Sequence, residues 1–221
     1  MPAADSVQIA PSILSADFAD LATAIDRISG ETGVLHVDVM DGHFVPNLTI
    51  GPPVVSSIDK HTDLTLDCHL MMTNPGDYLD AFRRAGADWI SVHVEIGGTE
   101  ELIARIRALG ANAGLAINPE TPFEAIEPWI AQLDHVLVMT VHPGFGGQSF
   151  MPEVVPKIRR IADAARESGT LVEVDGGIGP STIGVVAGAG ARCFVAGNAV
   201  FGQPEPAEAM RNLRALAKAA L

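Results

Sequence analysis

The segment HVDVMDGHFVPN, residues 36–47, carries the residue types and spacing best suited to chemistry. It begins inside an alternating run, residues 34–40, that reads as a β-strand. Leu35, Val37 and Val39 then share one face, and His36, Asp38 and Met40 the other. An imidazole and a carboxylate two positions apart can hold one divalent metal ion, or can simply hydrogen-bond in a polar core. The segment alone leaves both readings open. The apolar face is expected to pack under a covering layer, and the polar face to open onto a wet pocket. His69, in DCHLM at residues 67–71, and Asp175, in VDGGI at residues 174–178, offer the same donor types elsewhere. Three glycine-bearing runs complete the inventory: HPGFGGQSF at 142–150, DGGIG at 175–179 and AGNA at 196–199. Glycines of this kind let backbone N–H groups approach an anion closely, although one such run alone is usually a tight turn.

These residues need a frame. Strand-like runs recur at residues 7–14, 34–40, 64–71, 89–94, 113–117, 135–141, 171–174 and 193–196. Helical patterns lie between them, as in Leu21, Ala24, Ile25 and Ile28. Thr99 is expected to cap a helix with Glu100 and Glu101 in its first turn and Leu102, Ile103, Ile106 and Leu109 on its apolar face, stopped by Gly110. Pro152 is expected to open another helix, whose Pro156 is tolerable only if it starts late. Eight strands alternating with helices predict a single (β/α)8 TIM barrel with a parallel eight-stranded sheet, spanning residues 1–221 as one domain. The rival, an open doubly wound sheet, lacks a G-x-G-x-x-G after the first strand. In a barrel the C-terminal strand ends converge on one mouth. That rule gathers His36, Asp38, His69 and Asp175 into one candidate divalent-metal site. It also sets the glycine runs beside that site, where an anionic group of a substrate could be held.

Composition narrows the partners. Acidic residues outnumber basic ones by 27 to 14, a net charge of −13, which repels polyanions and argues against nucleic acid. No apolar run is long enough for a membrane span, and residues 1–10 show neither the basic nor the apolar part of a secretory signal. Cys68 and Cys193 sit in apolar runs without a CxxC spacing, which predicts reduced core thiols and a cytoplasmic protein.

Beyond these readings, the chain resembles the ribulose-phosphate 3-epimerases from residue 9 to residue 201. The motifs are APSILSADF at 10–18, HVDVMDGHFVPN at 36–47, DCHLM at 67–71, TVHPGFGGQSF at 140–150, VDGGI at 174–178 and VAGNAVFG at 195–202. The resemblance implies a (β/α)8 barrel that interconverts D-ribulose 5-phosphate and D-xylulose 5-phosphate with one divalent metal ion per subunit, zinc, iron(II), manganese or cobalt. It implies His36, Asp38, His69 and Asp175 as metal ligands near the substrate, and Asp38 and Asp175 as the two acid/base residues. Ser12 would contact substrate, and Met40, Met71 and Met139 would line the site. Gly144, Phe145, Gly146, Gly147, Gly176, Gly177, Gly197 and Asn198 would lie at the phosphate. A homo-oligomer is also implied, and a ketohexose phosphate such as allulose 6-phosphate is the alternative substrate.

The residue types suit that chemistry. Inverting a carbon means removing its proton from one face and returning one to the other, which asks for two groups rather than one. A free aspartate, with a pKa near ~3.9, is a feeble base toward carbon, so electrostatic help is required. Three places depart from the family pattern, one of them Gly179-Pro180, which replaces a more polar turn with no evident effect on the chemistry. Asn198 stands where a VAGS-type turn has Ser, and His142 stands where Glu, Asn or Asp precedes Pro-Gly-Phe-Gly-Gly. His93, on the fourth strand, is expected to be a structural histidine with its hydrogen bonds satisfied.

Overall fold

The computed structural model describes residues 7–221, so the reading of the chain's start as leaderless falls largely outside it. Eight parallel strands form one sheet: β1 (Gln8–Pro11), β2 (Val34–Met40), β3 (Thr65–Met71), β4 (Trp89–His93), β5 (Asn112–Ile117), β6 (His135–Met139), β7 (Leu171–Asp175) and β8 (Cys193–Ala196). β1 pairs with β8, and the order then descends to β2. A parallel bridge between Ser12 and His36 joins β1 back to β2 and closes the (β/α)8 barrel.

Around the barrel lie α1 (Leu21–Asp26), α2 (Pro52–Asp59), α3 (Leu79–Arg84), α4 (Thr99–Ala108), α5 (Val155–Ala165), α6 (Ile183–Gly188), α7 (Asn198–Phe201) and α8 (Pro206–Lys218). The strands' outward residues meet the apolar faces of these helices. Leu35, Val37 and Val39 of β2 join Leu66, Cys68 and Leu70 of β3 in a core shared with Ile58, Phe82, Ile106, Ile158 and Leu213. Each fully buried side chain of this size stabilises the fold by about 1.5–3 kcal/mol. No helix among the described residues is long and apolar enough to cross a membrane. Both cysteines are buried free thiols, as expected.

Several boundaries differ from the sequence reading. The first strand stops at Pro11, because Ser12 turns the chain into a 3-10 segment by accepting the Leu14 N–H on its Oγ at 3.3 Å. The sixth ends at Met139, two residues early. Thr99 does not cap α4; Gly98, at φ 64°, holds the cap position and Thr99 is the first helical residue. Pro152 opens only a 3-10 turn, and α5 starts at Val155, so Pro156 falls in the first turn where its missing N–H costs nothing. Between β5 and β6 the alternation lapses into 3-10 segments, Phe123–Ala125 and Glu127–Gln132, in a stretch broken by Pro119, Pro122 and Pro128.

The strand face carrying His36 and Asp38 opens onto a cavity only at Asp38 and Met40. Every residue of β2 is buried, with His36 fully enclosed and Asp38 5% exposed. The inward face lies inside the barrel, which in this fold is packed rather than hollow.

Candidate active site

Sheet register brings the chemistry together. β2 and β3 pair His36 with Asp67 and Asp38 with His69, so two His/Asp couples sit side by side in the barrel interior. His36 Nδ1 lies 2.5 Å from Asp67 Oδ2, leaving Nε2 turned toward Asp38 Oδ1 at 3.4 Å. His69 Nδ1 lies 3.2 Å from the same Asp38 oxygen. The Ser12 hydroxyl donates to Asp38 Oδ2 at 2.5 Å, so the seam that closes the barrel also orients this carboxylate. Asp175 reaches the cluster from the end of β7, and donor atoms of His36, Asp38, His69 and Asp175 all lie within 4.8 Å of one another.

The four residues fit a cation. His36 Nε2 is buried without a hydrogen-bond partner. Two imidazole nitrogens converge on one carboxylate oxygen, so the ligand atoms a cation would need already face one point. The residue types, two imidazoles and two carboxylates, are those of a divalent-metal site. Asp67 holds His36 from behind, as carboxylates commonly do for metal-ligating histidines.

The two aspartates differ in protonation. Burial favours the neutral form of Asp38, but His36 and His69 outweigh it and hold this carboxyl well below the usual range. Burial, then the negative charge of Asp38, pushes Asp175 up to about 7. Burial pulls His69 down to about 4, and His93 adds to the shift. For His36 burial is outweighed by Asp67 and Asp38, which hold it well above its ordinary value. In the metal-free site, Asp38 is ionised at neutral pH while Asp175 titrates close to it.

Above the cluster lies a cavity of about 250 Å³. Its lining includes Ser12, Asp38, Met40, Met71, Met139, Gly144, Phe145, Gly146, Gly147, Asp175, Gly176, Gly177, Gly197 and Asn198, so the sequence-derived residues meet in one place. His36 and His69 do not reach it; they lie wholly buried beneath its floor. Gly177, at φ 62°, has the backbone N of Phe150 only 2.5 Å from where a Cβ would stand, so no other residue fits that turn. His142 lies outside the lining, exposed beside Glu120 at 2.9 Å.

Other residues were not foreseen. Leu14, Ser15, Gln148 and Ile178 also line the cavity. Asp67 shows an Asp-x-His spacing with His69, a signal as legible as His36-x-Asp38. Beneath it, Glu173 and His135 continue a buried polar layer, with His135 Nε2 2.6 Å from Ser91 Oγ and 3.8 Å from Asp67 Oδ1. Burial and the neighbouring Asp67 push the Glu173 carboxyl well above its ordinary range. His93 is buried and doubly partnered as expected, yet one partner is His69 itself, at 2.8 Å.

A closed parallel (β/α)8 barrel, with a carboxylate–imidazole cluster at its strand ends beneath a glycine-lined mouth, defines the class. Comparison with known proteins refines it. The chain belongs to the ribulose-phosphate 3-epimerase family, whose profile matches residues 8–201. It is 50% identical over 220 residues to a ribulose-phosphate 3-epimerase, cytoplasmic isoform, of Oryza sativa subsp. japonica, covering 97% of this chain and 96% of that protein. A ribulose-phosphate 3-epimerase of Bacillus subtilis is 47% identical over 213 residues, covering 94% of this chain and 98% of its own length. Among solved structures, the 3-keto-L-gulonate-6-phosphate decarboxylase of Vibrio cholerae superposes with a TM-score of 0.74 over 98% of this chain and 99% of that one, at 18% identity. The likeness to this structure is one of fold.

Proposed function

We propose that this protein is a cytoplasmic, metal-dependent 3-epimerase that interconverts D-ribulose 5-phosphate and D-xylulose 5-phosphate. One observation carries the mechanism: the carboxyl groups of Asp38 on β2 and Asp175 on β7 line the same cavity, two acid/base groups brought to one substrate-sized space from different strands. One of the two removes the proton at C3 from one face as a carboxylate, the other returns a proton to the opposite face as the acid, and the reverse reaction exchanges the roles. The intermediate between the two transfers is a planar enediolate, which explains why two bases serve where one would not.

His36, Asp38, His69 and Asp175 would hold the metal. Bound there, a divalent ion supplies Lewis-acid stabilisation of the oxyanion that develops at the sugar, worth several kcal/mol. Two imidazoles and two carboxylates suit zinc, iron(II), manganese and cobalt alike. Ser12 fixes the Asp38 carboxylate through its hydroxyl hydrogen bond. Met40, Met71 and Met139 present soft apolar walls that keep water from the reacting carbon. Gly144, Phe145, Gly146, Gly147, Gly176, Gly177, Gly197 and Asn198 form the phosphate end of the cavity, consistent with the habit of barrels of holding phosphate after the last strands. Anchoring the phosphate there fixes which face of C3 meets which aspartate. The family and the names of its relatives support the pentulose substrate.

The test is turnover of D-ribulose 5-phosphate beside allulose 6-phosphate, before and after chelation. Fast pentulose turnover, lost on chelation and restored by a divalent ion, is the expected result. Preference for the hexulose phosphate would change the substrate, and activity that survives complete metal removal would end the metal-dependent reading.

A further inference from the structure

Beyond the cavity, a chain of polar contacts runs outward from His69. Its Nε2 lies 2.8 Å from His93 Nε2, and His93 Nδ1 lies 3.1 Å from Glu95 Oε2. The two imidazoles meet edge to edge, their planes 29° apart and centroids separated by 4.9 Å. Phe44 packs against the His93 ring, with centroids 4.5 Å apart, and restricts its tilt. Glu95 is pinned in turn, its Oε1 accepting the Asn118 N–H at 2.8 Å.

Donor and acceptor roles follow along this chain. An ionised carboxylate only accepts, so His93 must carry a proton on Nδ1. A neutral His93 ring then has a bare Nε2 that accepts, so His69 donates from its own Nε2 and leaves its Nδ1 bare. That bare nitrogen is the atom facing Asp38 Oδ1 at 3.2 Å.

We propose that Glu95 and His93 are positioning residues that hold His69 in the tautomer protonated on Nε2, so that Nδ1 is presented to the metal. The proposal rests on the metal-binding reading of the site above. It gives His69 the counterpart of what Asp67 does for His36, with one difference. His36 is held directly by a carboxylate and offers Nε2, whereas His69 is held through a second imidazole and offers Nδ1. Partners of this kind typically alter metal affinity by about 10–100-fold when removed.

Glu95→Gln is the informative variant, because one amide oxygen cannot replace two accepting oxygens and the β4–β5 connection is otherwise unchanged. His93→Phe, which removes the acceptor and keeps a ring against Phe44, is the second. Two-bond 15N–1H spectra of 15N-histidine-labelled, metal-free protein read the tautomer directly, and titration with Co2+ alone reads affinity. The expected result is His69 protonated on Nε2 in the parent. In Glu95→Gln that preference is lost, and Co2+ affinity falls about 10–100-fold with circular dichroism unchanged. A His69 carrying its proton on Nδ1 in the parent would overturn the proposal. So would a Glu95→Gln protein that melts earlier but keeps the parent's tautomer and affinity, since that is the behaviour of a purely structural staple. If the parent binds no Co2+, the metal reading fails, and the tautomer comparison alone still decides the positioning role.

Discussion

Asp175→Asn in the chelated protein tests the electrostatics of the site without any turnover. In the folded protein the Asp175 carboxyl is pushed up to about 7 by burial and by the charge of Asp38, against an ordinary value of 3.8. A group that binds its proton more tightly in the folded state adds stability below its unfolded pKa and loses it as pH rises through its folded pKa. The gap of roughly three units is worth about 4 kcal/mol once both states are ionised. Most of that loss accrues between pH 5 and 8, where linkage assigns about 2–3 kcal/mol to this one carboxyl. Asparagine keeps the shape and does not titrate. The melting temperature of the variant minus that of the parent should therefore increase from pH 5 to pH 8, by about 4–12 °C for a chain of this size. Calorimetry on both proteins in EDTA, in half-unit pH steps, measures it. A difference that stays flat across this range would mean that Asp175 is already ionised at pH 5, and the assignment of Asp38 and Asp175 to unlike protonation states would be wrong.

Other outcomes follow from the same geometry. Asp38→Asn should lower kcat for the epimerisation by about 10²–10⁴-fold, the range for losing a general base, with circular dichroism unchanged; stopped-time assays by coupled oxidation of NADH read it. Gly114→Ala puts a Cβ into the His135 ring and 2.5 Å from Ser91 Oγ. It should cost about 1–3 kcal/mol by overpacking, measured by urea denaturation. Glu173→Gln should be nearly silent, within about 0.5 kcal/mol of the parent at pH 7, because burial and Asp67 already hold that carboxyl neutral. A large loss in this variant, by the same urea assay, would mean that Glu173 carries a charge in the barrel interior.

Much of this site could be read without coordinates, for a definite reason. Two-residue alternation says which side chains share a face, and the barrel rule says that strand ends converge, so His36, Asp38, His69 and Asp175 could be gathered from three separate motifs. What alternation does not say is register. Only the pairing of β2 with β3 sets Asp67 beside His36, and only its offset makes two imidazoles bear on one Asp38 oxygen. The Glu95–His93 pair was equally visible as a His-x-Glu spacing, but which neighbour His93 meets depends on the curvature of the barrel between β3 and β4. Local reasoning placed Asp38 and Met40 at a cavity correctly but not His36. A polar strand face suggested solvent, whereas closure of the sheet turned it inward and buried His36 completely. The cap at Thr99 failed for a smaller cause: Gly98 takes the left-handed backbone that starts α4.

The seam between the first and last strands has a consequence for how the protein is made. β1 hydrogen-bonds along β8, some 185 residues away in the chain, whereas its ladder to β2 is the single bridge at Ser12, just past its end. Contacts so distant in sequence form late and slowly. During synthesis from the N-terminus, β1 has no full-length partner until residues 193–196 have left the ribosome. Ser12, which steadies Asp38, follows directly on that strand. A nascent or truncated chain can therefore build most of the helices and strands while the carboxylate at its centre remains unanchored. Appearance of the finished site reports that translation has run almost to the last helix.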